Sequence, residues 1–209
     1  MPRSAAIIVR EYGPWPDVTH VHGVSHDGTR VWIATGEALR ALDPASGAEL
    51  RRLRLPAQAG TAFDGTHLYQ IAGPRIQKVD PRTGVVVATI PTPGEGASGM
   101  AWAEGSLWVG QYRNRRIHQV DPDTGKVLRT LECQRFVTGV SWVDGELWHG
   151  SREQQDSALC RIDPASGELL EQLDLPPGMV VSGLESDGRD TWFCGGAESG
   201  CLRAVRRRG

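Results

Sequence analysis

No apolar run in this sequence approaches the ~20 residues that a membrane-spanning helix needs. The short stretch Ala5–Val9 is also too brief for the apolar centre of a secretory leader. The expected location is therefore the cytoplasm, with no membrane partner. Cysteine is scarce, four in 209 residues, and in such a compartment these read as reduced thiols and not as a disulfide framework. Cys194 and Cys201 flank one hairpin loop and could lie across from each other. The net charge is only −2, which argues against broad affinity for nucleic acid. Also missing are a phosphate-cradling glycine loop, a Ser-His-Asp spacing and a zinc-type cysteine cluster. Hydrolase and nucleotide-binding readings are weak accordingly.

What the chain has in quantity is turns. Its 26 Gly and 13 Pro fall at regular intervals and not in a low-complexity tract. The clause Asp-Pro-x-Ser/Thr-Gly occurs at Asp43–Gly47, Asp80–Gly84, Asp121–Gly125 and Asp163–Gly167, with successive Asp residues 37, 41 and 42 positions apart. A strand-rich period near 40 predicts propeller blades.

Each unit opens on a small residue or His followed by Gly: His22-Gly23, Ala59-Gly60, Ser98-Gly99, Thr138-Gly139, Ser182-Gly183. An apolar strand then leads to a tight turn at Asp27-Gly28, Asp64-Gly65, Glu104-Gly105, Asp144-Gly145 or Asp187-Gly188, where two-residue hairpins are expected. An aromatic strand follows, carrying Trp32, Tyr69, Trp108, Trp148 or Trp192, and these side chains read as packing between blades. A third strand, the Asp-Pro turn and a fourth strand complete the unit. Five units predict an all-β, five-bladed propeller of four antiparallel strands per blade, with residues 1–209 forming one domain. The fifth blade runs out after Val205, and Ala5–Val9 is placed to supply its missing strand and seal two open edges.

The segment Gly105–Val127, GSLWVGQYRNRRIHQVDPDTGKV, resembles the blade repeat of the virginiamycin B lyase group and its quinoprotein-like relatives. The resemblance covers nearly the whole chain and rests on turn and core residues. For the lyase group it implies elimination assisted by a divalent metal and a histidine at the channel mouth. Ile33–Gly47, IATGEALRALDPASG, is faintly similar to the first blade of the plant-type glutaminyl cyclases, which share the five-blade count. That likeness implies a glutamine-cyclotransferase-like activity.

The blade topology puts the Asp-Gly and Asp-Pro turns on one face, so their carboxylates read as structural. Departures from the repeat on the opposite, top face are the candidates for function. Only blade 1 enters as Thr19-His20-Val21-His22-Gly23. His20 and His22 are two apart, so on a strand both point to one side, a pattern that suits a divalent metal or a general base. His22 is the residue that the lyase resemblance carries over. Glu95 lies in the approach to blade 3, though Ala97 and Ser98 follow it where that family places a histidine. Glu185 stands on an inner strand where the other blades have Ser25, Ala62, Ala101 and Ser141. It must meet a wet channel, a cation or a metal.

Further rim candidates for substrate binding are Trp15, Tyr112, Arg113, Cys133, Arg135 and Arg152, with His149 a catalytic candidate beside His22 and Glu185. The segment Ser151–Ala158 is longer than its counterparts in blades 1 and 2 and reads as a rim loop. Two functions remain in view: an enzyme acting at the top of the channel on a small-molecule or peptide-derived ligand, or a non-catalytic propeller that binds a ligand or protein there. Either would be a monomer or homodimer. The terminal run Arg206-Arg207-Arg208 reads as a solvated tail.

Overall fold

The computed structural model describes residues 1–154 and 156–207. Five small sheets, their inner strands in contact one with the next, close into a ring. Blade 1 is Gly23–His26, Val31–Ala34, Gly36–Leu42 and Glu49–Ala57; blade 2 is Thr61–Phe63, Leu68–Ala72, Arg75–Val79 and Val86–Pro91. Blade 3 is Ala97–Ala103, Ser106–Gln111, Arg116–Val120 and Val127–Glu132. Blade 4 is Val140–Val143, Glu146–Glu153, Asp156–Ile162 and Leu169–Asp174. Blade 5 has Leu184–Ser186, Thr191–Gly195 and Leu202–Arg206, and its fourth strand is Ile7–Tyr12 from the N-terminus. The chain is a five-bladed β-propeller, and no helix occurs among the described residues.

Closure follows the expected route and adds one step. Ile7 and Ile8 pair antiparallel with Arg206 and Val205. Just upstream, Arg3–Ala5 pairs in parallel with the outer strand of blade 4, Arg3 opposite Gln172 and Ala5 opposite Asp174. Arg3 Nε also donates to Asp174 at 2.6 Å. Ala6, between the two strands, is buried in the cluster that joins blades 4 and 5. One short segment thus clasps two blades, which no repeat count could reveal because it has no counterpart in the other units.

The five glycines that open the units form the tightest ring of the molecule. A Cβ on Gly60, Gly99, Gly139 or Gly183 would lie between 2.5 and 2.8 Å from backbone of the next blade's inner strand, at Gly99, Gly139, Leu184 and Gly23 respectively. Gly23 closes the circle against the backbone at Ala59–Thr61. Only a residue without a side chain lets five inner strands approach this closely.

Farther out, aromatic side chains join the blades. Tyr69 stacks on Trp102, Trp108 meets Trp142, and Trp148 meets Trp192, with ring centroids 5.7, 5.1 and 4.9 Å apart. His26 stacks on Phe193 at 6.0 Å across the closing interface. The tail reading of the basic run is corrected by Arg207, whose guanidinium lies 4.9 Å from the Trp148 ring centre and donates to Glu171 at 2.8 Å. A guanidinium gains from an aromatic face and a carboxylate at once. Arg208 lies outside the described residues.

The turns are of two kinds. In blades 3 and 4, Glu104-Gly105 and Asp144-Gly145 form the expected two-residue hairpins, all four residues at positive φ. In blades 1, 2 and 5 the loop is longer, and the Asp side chain organises it by accepting backbone N–H groups: Asp27 from Thr29 and Arg30, Asp64 from Thr66 and His67, Asp187 from Arg189 and Thr191. The Asp-Pro turns are self-satisfied as well. Donors from Ser46, the Arg82 amide and Thr124 hold Asp43, Asp80 and Asp121 below the usual carboxylate range. These carboxylates are structural.

Gly139→Ala is expected to destabilise the protein by about 3 kcal/mol or more, because the backbone it meets cannot move aside. Gly145→Ala, at an open hairpin, should cost only ~1 kcal/mol, the penalty for a side chain at positive φ. Urea unfolding of the two variants checks this; equal losses would mean that the inner ring has slack.

Candidate functional site

The top mouth of the channel is a cavity of about 330 Å³. Each blade contributes the residues that precede its inner glycine: His22, Gln58 and Ala59, Ala97 and Ser98, Thr138, and Val180–Ser182. Tyr112 and Arg152 reach in from the second strands or hairpins of blades 3 and 4. The lining therefore mixes an apolar floor with a phenol, an imidazole, hydroxyls and one guanidinium.

The hydroxyls are not equivalent, and symmetry shows why. Ser98 Oγ donates to the Val137 carbonyl at 2.7 Å, and Ser182 Oγ donates to the Val21 carbonyl. Each thereby ties its blade to the approach segment of the next. The matching partner for Thr138 would be the Val181 carbonyl, but that bond is not made. Thr138 Oγ1 is buried with no hydrogen-bond partner among the described residues. An unpaired buried hydroxyl costs about 1–3 kcal/mol unless something satisfies it. Arg152 likewise has no ion-pair partner among the described residues, and its guanidinium borders both the mouth and a smaller cavity of about 290 Å³ next to it.

His22 forms one wall of the mouth. Burial, and secondarily the neighbouring His20, holds its pKa below the ordinary imidazole value, so the ring is neutral near pH 7. The two imidazoles do share a side, as their spacing predicted. They stack face to face, however, centroids 5.2 Å apart and planes within 6°. Parallel rings at that separation do not converge their nitrogens on one ion at the ~2.0–2.1 Å that imidazole–metal bonds require. Among the described residues no group of three or more His, Cys, Asp or Glu side chains gathers to complete a metal site. The divalent-metal expectation for His20 and His22 thus does not fit the pair as it stands.

Of the other candidates, Tyr112 and Arg152 reach the mouth with His22. Tyr112 is held by stacking on Phe136 at 5.0 Å, and Arg113 beside it is exposed. Ser151–Ala158 is not an open loop: Ser151, Arg152 and Glu153 pair with Ala158, Ser157 and Asp156, prolonging the hairpin. The extra residues went into strand, which satisfies their backbone groups and carries Arg152 to the rim.

The remaining candidates lie elsewhere. Trp15 packs half-buried against the cluster of Tyr12, Val18 and Phe193 and lines none of these cavities. Glu95 borders a separate cavity of about 480 Å³ with Pro74 and Thr92. Cys133 is buried in the core between blades 3 and 4, and burial pushes its thiol up to about 12. Arg135 is occupied, donating to Gln172 at 2.8 Å and to Glu153 at 3.4 Å. His149 is buried with Nδ1 donating to the Gly150 carbonyl at 3.0 Å, and burial takes its pKa down to about 4. All four cysteines are free, Cys194 and Cys201 included.

Glu185 stands on the inner strand Leu184–Ser186 of blade 5, two residues past Gly183. Its Oε1 accepts from Ser141 Oγ at 2.8 Å and from the Ser186 amide at 2.9 Å. Burial outweighs those bonds and raises its pKa to about 8. It answers no cation; it is a neutral carboxylic acid in the bore.

These features define the chain as a β-propeller with its polar mouth on the face opposite the repeat turns. The chain belongs to the family described as outer membrane protein assembly factor BamB, whose pattern matches residues 19–128. No curated protein matches it. Among solved structures it is similar to Myxococcus xanthus glutaminyl cyclase, with 22% identity over 99% of this chain and 98% of that one and a TM-score of 0.81. It is also similar to the propeller domain of Myceliophteria thermophila Cps50 (Swd1), with 9% identity over 97% and 100% of the chains and a TM-score of 0.60. A third likeness, to Kuenenia stuttgartiensis hydrazine synthase, has 16% identity and a TM-score of 0.54 and covers 85% of this chain and 56% of that one. At these identities the likenesses speak for the fold.

The half-buried Glu185 and the buried His149 should act in opposite directions. Glu185 has a folded pKa near 8 against an ordinary 4.5, so the unfolded chain releases its proton first, and stability falls as pH rises from about 4.5 to 8. His149 has a folded pKa near 4 against 6.5, so stability falls as pH drops from about 6.5 to 4. Glu185→Gln should gain at least ~1 kcal/mol over the parent at pH 8 and lose that advantage near pH 4.5. His149→Gln should flatten the acid side instead. Denaturant unfolding across pH 4–8.5 reads both, and an unchanged alkaline slope in Glu185→Gln would place the charge elsewhere.

Proposed function

We propose that the chain is a ligand-recognising propeller whose top mouth binds a small molecule carrying a carboxylate or similarly compact anion. The observation that carries this reading is a guanidinium without an acidic partner, Arg152, at a cavity otherwise lined by an imidazole, a phenol and small or apolar side chains. Arg152 would pair the anion, a charge-assisted arrangement, with Thr138 in the cavity wall beside it. Neutral His22 and Tyr112 add directional hydrogen bonds, and Ala59, Ala97, Val180 and Val181 take the apolar part, the usual division of labour in small-molecule sites.

A catalytic reading rests on His22. As a neutral imidazole it could take a proton from a bound ligand, as elimination requires. A cyclotransferase-like reaction of the kind named for the Myxococcus relative calls instead for a proton-carrying carboxylate. Among the described residues no Asp or Glu lines this mouth, Glu185 included. Recognition is the reading that this geometry supports best.

Calorimetric titration with acetate, succinate, citrate and inorganic phosphate tests it. At least one of these is expected to bind, with affinity falling tenfold or more, about 1.4 kcal/mol, in Arg152→Met and more modestly in Thr138→Val, while thermal stability holds. Binding indifferent to both substitutions would remove the mouth as the site. Ammonia release from a glutaminyl dipeptide, abolished by His22→Gln, would replace recognition with catalysis.

A further inference from the structure

On the far side of His22 from the mouth lies a larger cavity of about 700 Å³ at the rim of blade 1. His22 borders both cavities, so the two share a wall. The second is strongly charged, lined by Asp17, Glu37, Arg40, Arg52 and Arg54 together with Thr19 and Thr35.

Most of that charge is already spoken for. Arg40, almost wholly buried, donates to both Asp17 oxygens at 2.9 Å and to Glu49 at 3.1 Å. Arg52 donates to Glu49 at 2.7 and 2.9 Å and to Asp17 at 2.8 Å. Two guanidinium groups and two carboxylates therefore close a neutral, mutually bonded wall. Fixed on both sides, such side chains have little rotamer freedom left to lose when a ligand arrives.

Two groups remain outside this network. These are Arg54 and Glu37. Both are exposed, and neither side chain makes a hydrogen bond or ion pair to a described residue or to the other. They are held apart by the strand pair that carries them. Arg54 stands opposite Ala38, and where the register shifts between Gly36 and Ala38 the single residue Glu37 faces two, Leu55 and Pro56, so the bulge lies on the partner strand beside Arg54. Both side chains border the same cavity, an uncommitted carboxylate and an uncommitted guanidinium.

From this we infer a second binding site, distinct from the mouth, that takes a small zwitterion: its anionic group on Arg54 and its cationic group on Glu37. A molecule with only one charge would satisfy one of these side chains and leave the other as it is. The cavity's volume falls within the ~300–1,000 Å³ typical of small-molecule sites. The inference does not rest on the mouth's function, since none of its charged partners borders the mouth.

The test is a titration of the intact protein with a spacing series of ω-amino acids, from glycine through β-alanine and γ-aminobutyrate to ε-aminocaproate. Butyrate and butylamine serve as single-charge controls. One member of the series is expected to bind best, at least tenfold more tightly than either control. Arg54→Met and Glu37→Gln should each abolish that preference, whereas Arg152→Met should leave it intact while weakening anion binding at the mouth. Controls that bind as well as the zwitterions, or no binding by any member of the series, would overturn the inference. So would a double-mutant cycle showing Arg54 and Glu37 coupled in the ligand-free protein, because the two would then satisfy each other.

Discussion

The ring of Gly23, Gly60, Gly99, Gly139 and Gly183 is the contact on which the rest of the molecule depends. Five blades enclose a narrower axis than six or seven would, so their inner strands must meet backbone to backbone. A glycine at each point of closest approach permits this, and no larger residue does. The same contact divides the channel. Side chains just before each glycine line the mouth, while those after it belong to the inner strands. Glu185, two residues past Gly183, is on such an inner strand and lines none of the cavities described above.

Tight inner packing demands that the circle be sealed, and the N-terminal segment seals it twice. Ile7–Tyr12 supplies the last blade's outer strand, and Arg3–Ala5 continues onto blade 4. The outer edges are blunted in a common way. In every blade the register shifts near the start of the outermost strand, at Leu50, Val87, Leu128, Leu170 and Val9. A bulge there twists the edge and interrupts its row of free backbone groups, which discourages pairing with another molecule. In blades 1 to 4 these apolar residues stand just after the Asp-Pro turns, so one repeated device shapes both the turn and the edge, while Val9 supplies the same irregularity from the N-terminal strand.

The architecture was legible because its determinants are periodic. Asp-Pro turns, paired aromatics and inner glycines recur once per blade, and periodicity can be read without coordinates. The site was only partly legible, because departures from a repeat have several physical causes. His22, Tyr112 and Arg152 depart from it and face the mouth. Cys133 and His149 depart from it because they fill core positions, and a buried thiol or imidazole looks no different in sequence from a reactive one. Trp15 fills a gap beside Phe193, and the length of Ser151–Ala158 went into strand pairing. Thr138 was overlooked for the opposite reason. It obeys the repeat in residue type, and only the hydrogen bond that it fails to make sets it apart from Ser98 and Ser182.

That failure bears on how a symmetric scaffold acquires a function. Where all five units satisfy one another, the ring has no unpaired group to offer a ligand. Uncommitted groups arise where one unit withholds what its siblings share: a hydroxyl not spent on the next blade, a guanidinium at the end of a prolonged hairpin, a carboxylate facing a bulge in the neighbouring strand. In this chain such groups fall on both sides of His22, the single imidazole that replaces a small residue ahead of an inner glycine. A small side chain at that position would merge the mouth and the blade 1 cavity into one cleft. The imidazole keeps them as two compartments, so each can present its own charges without the other's ligand answering them.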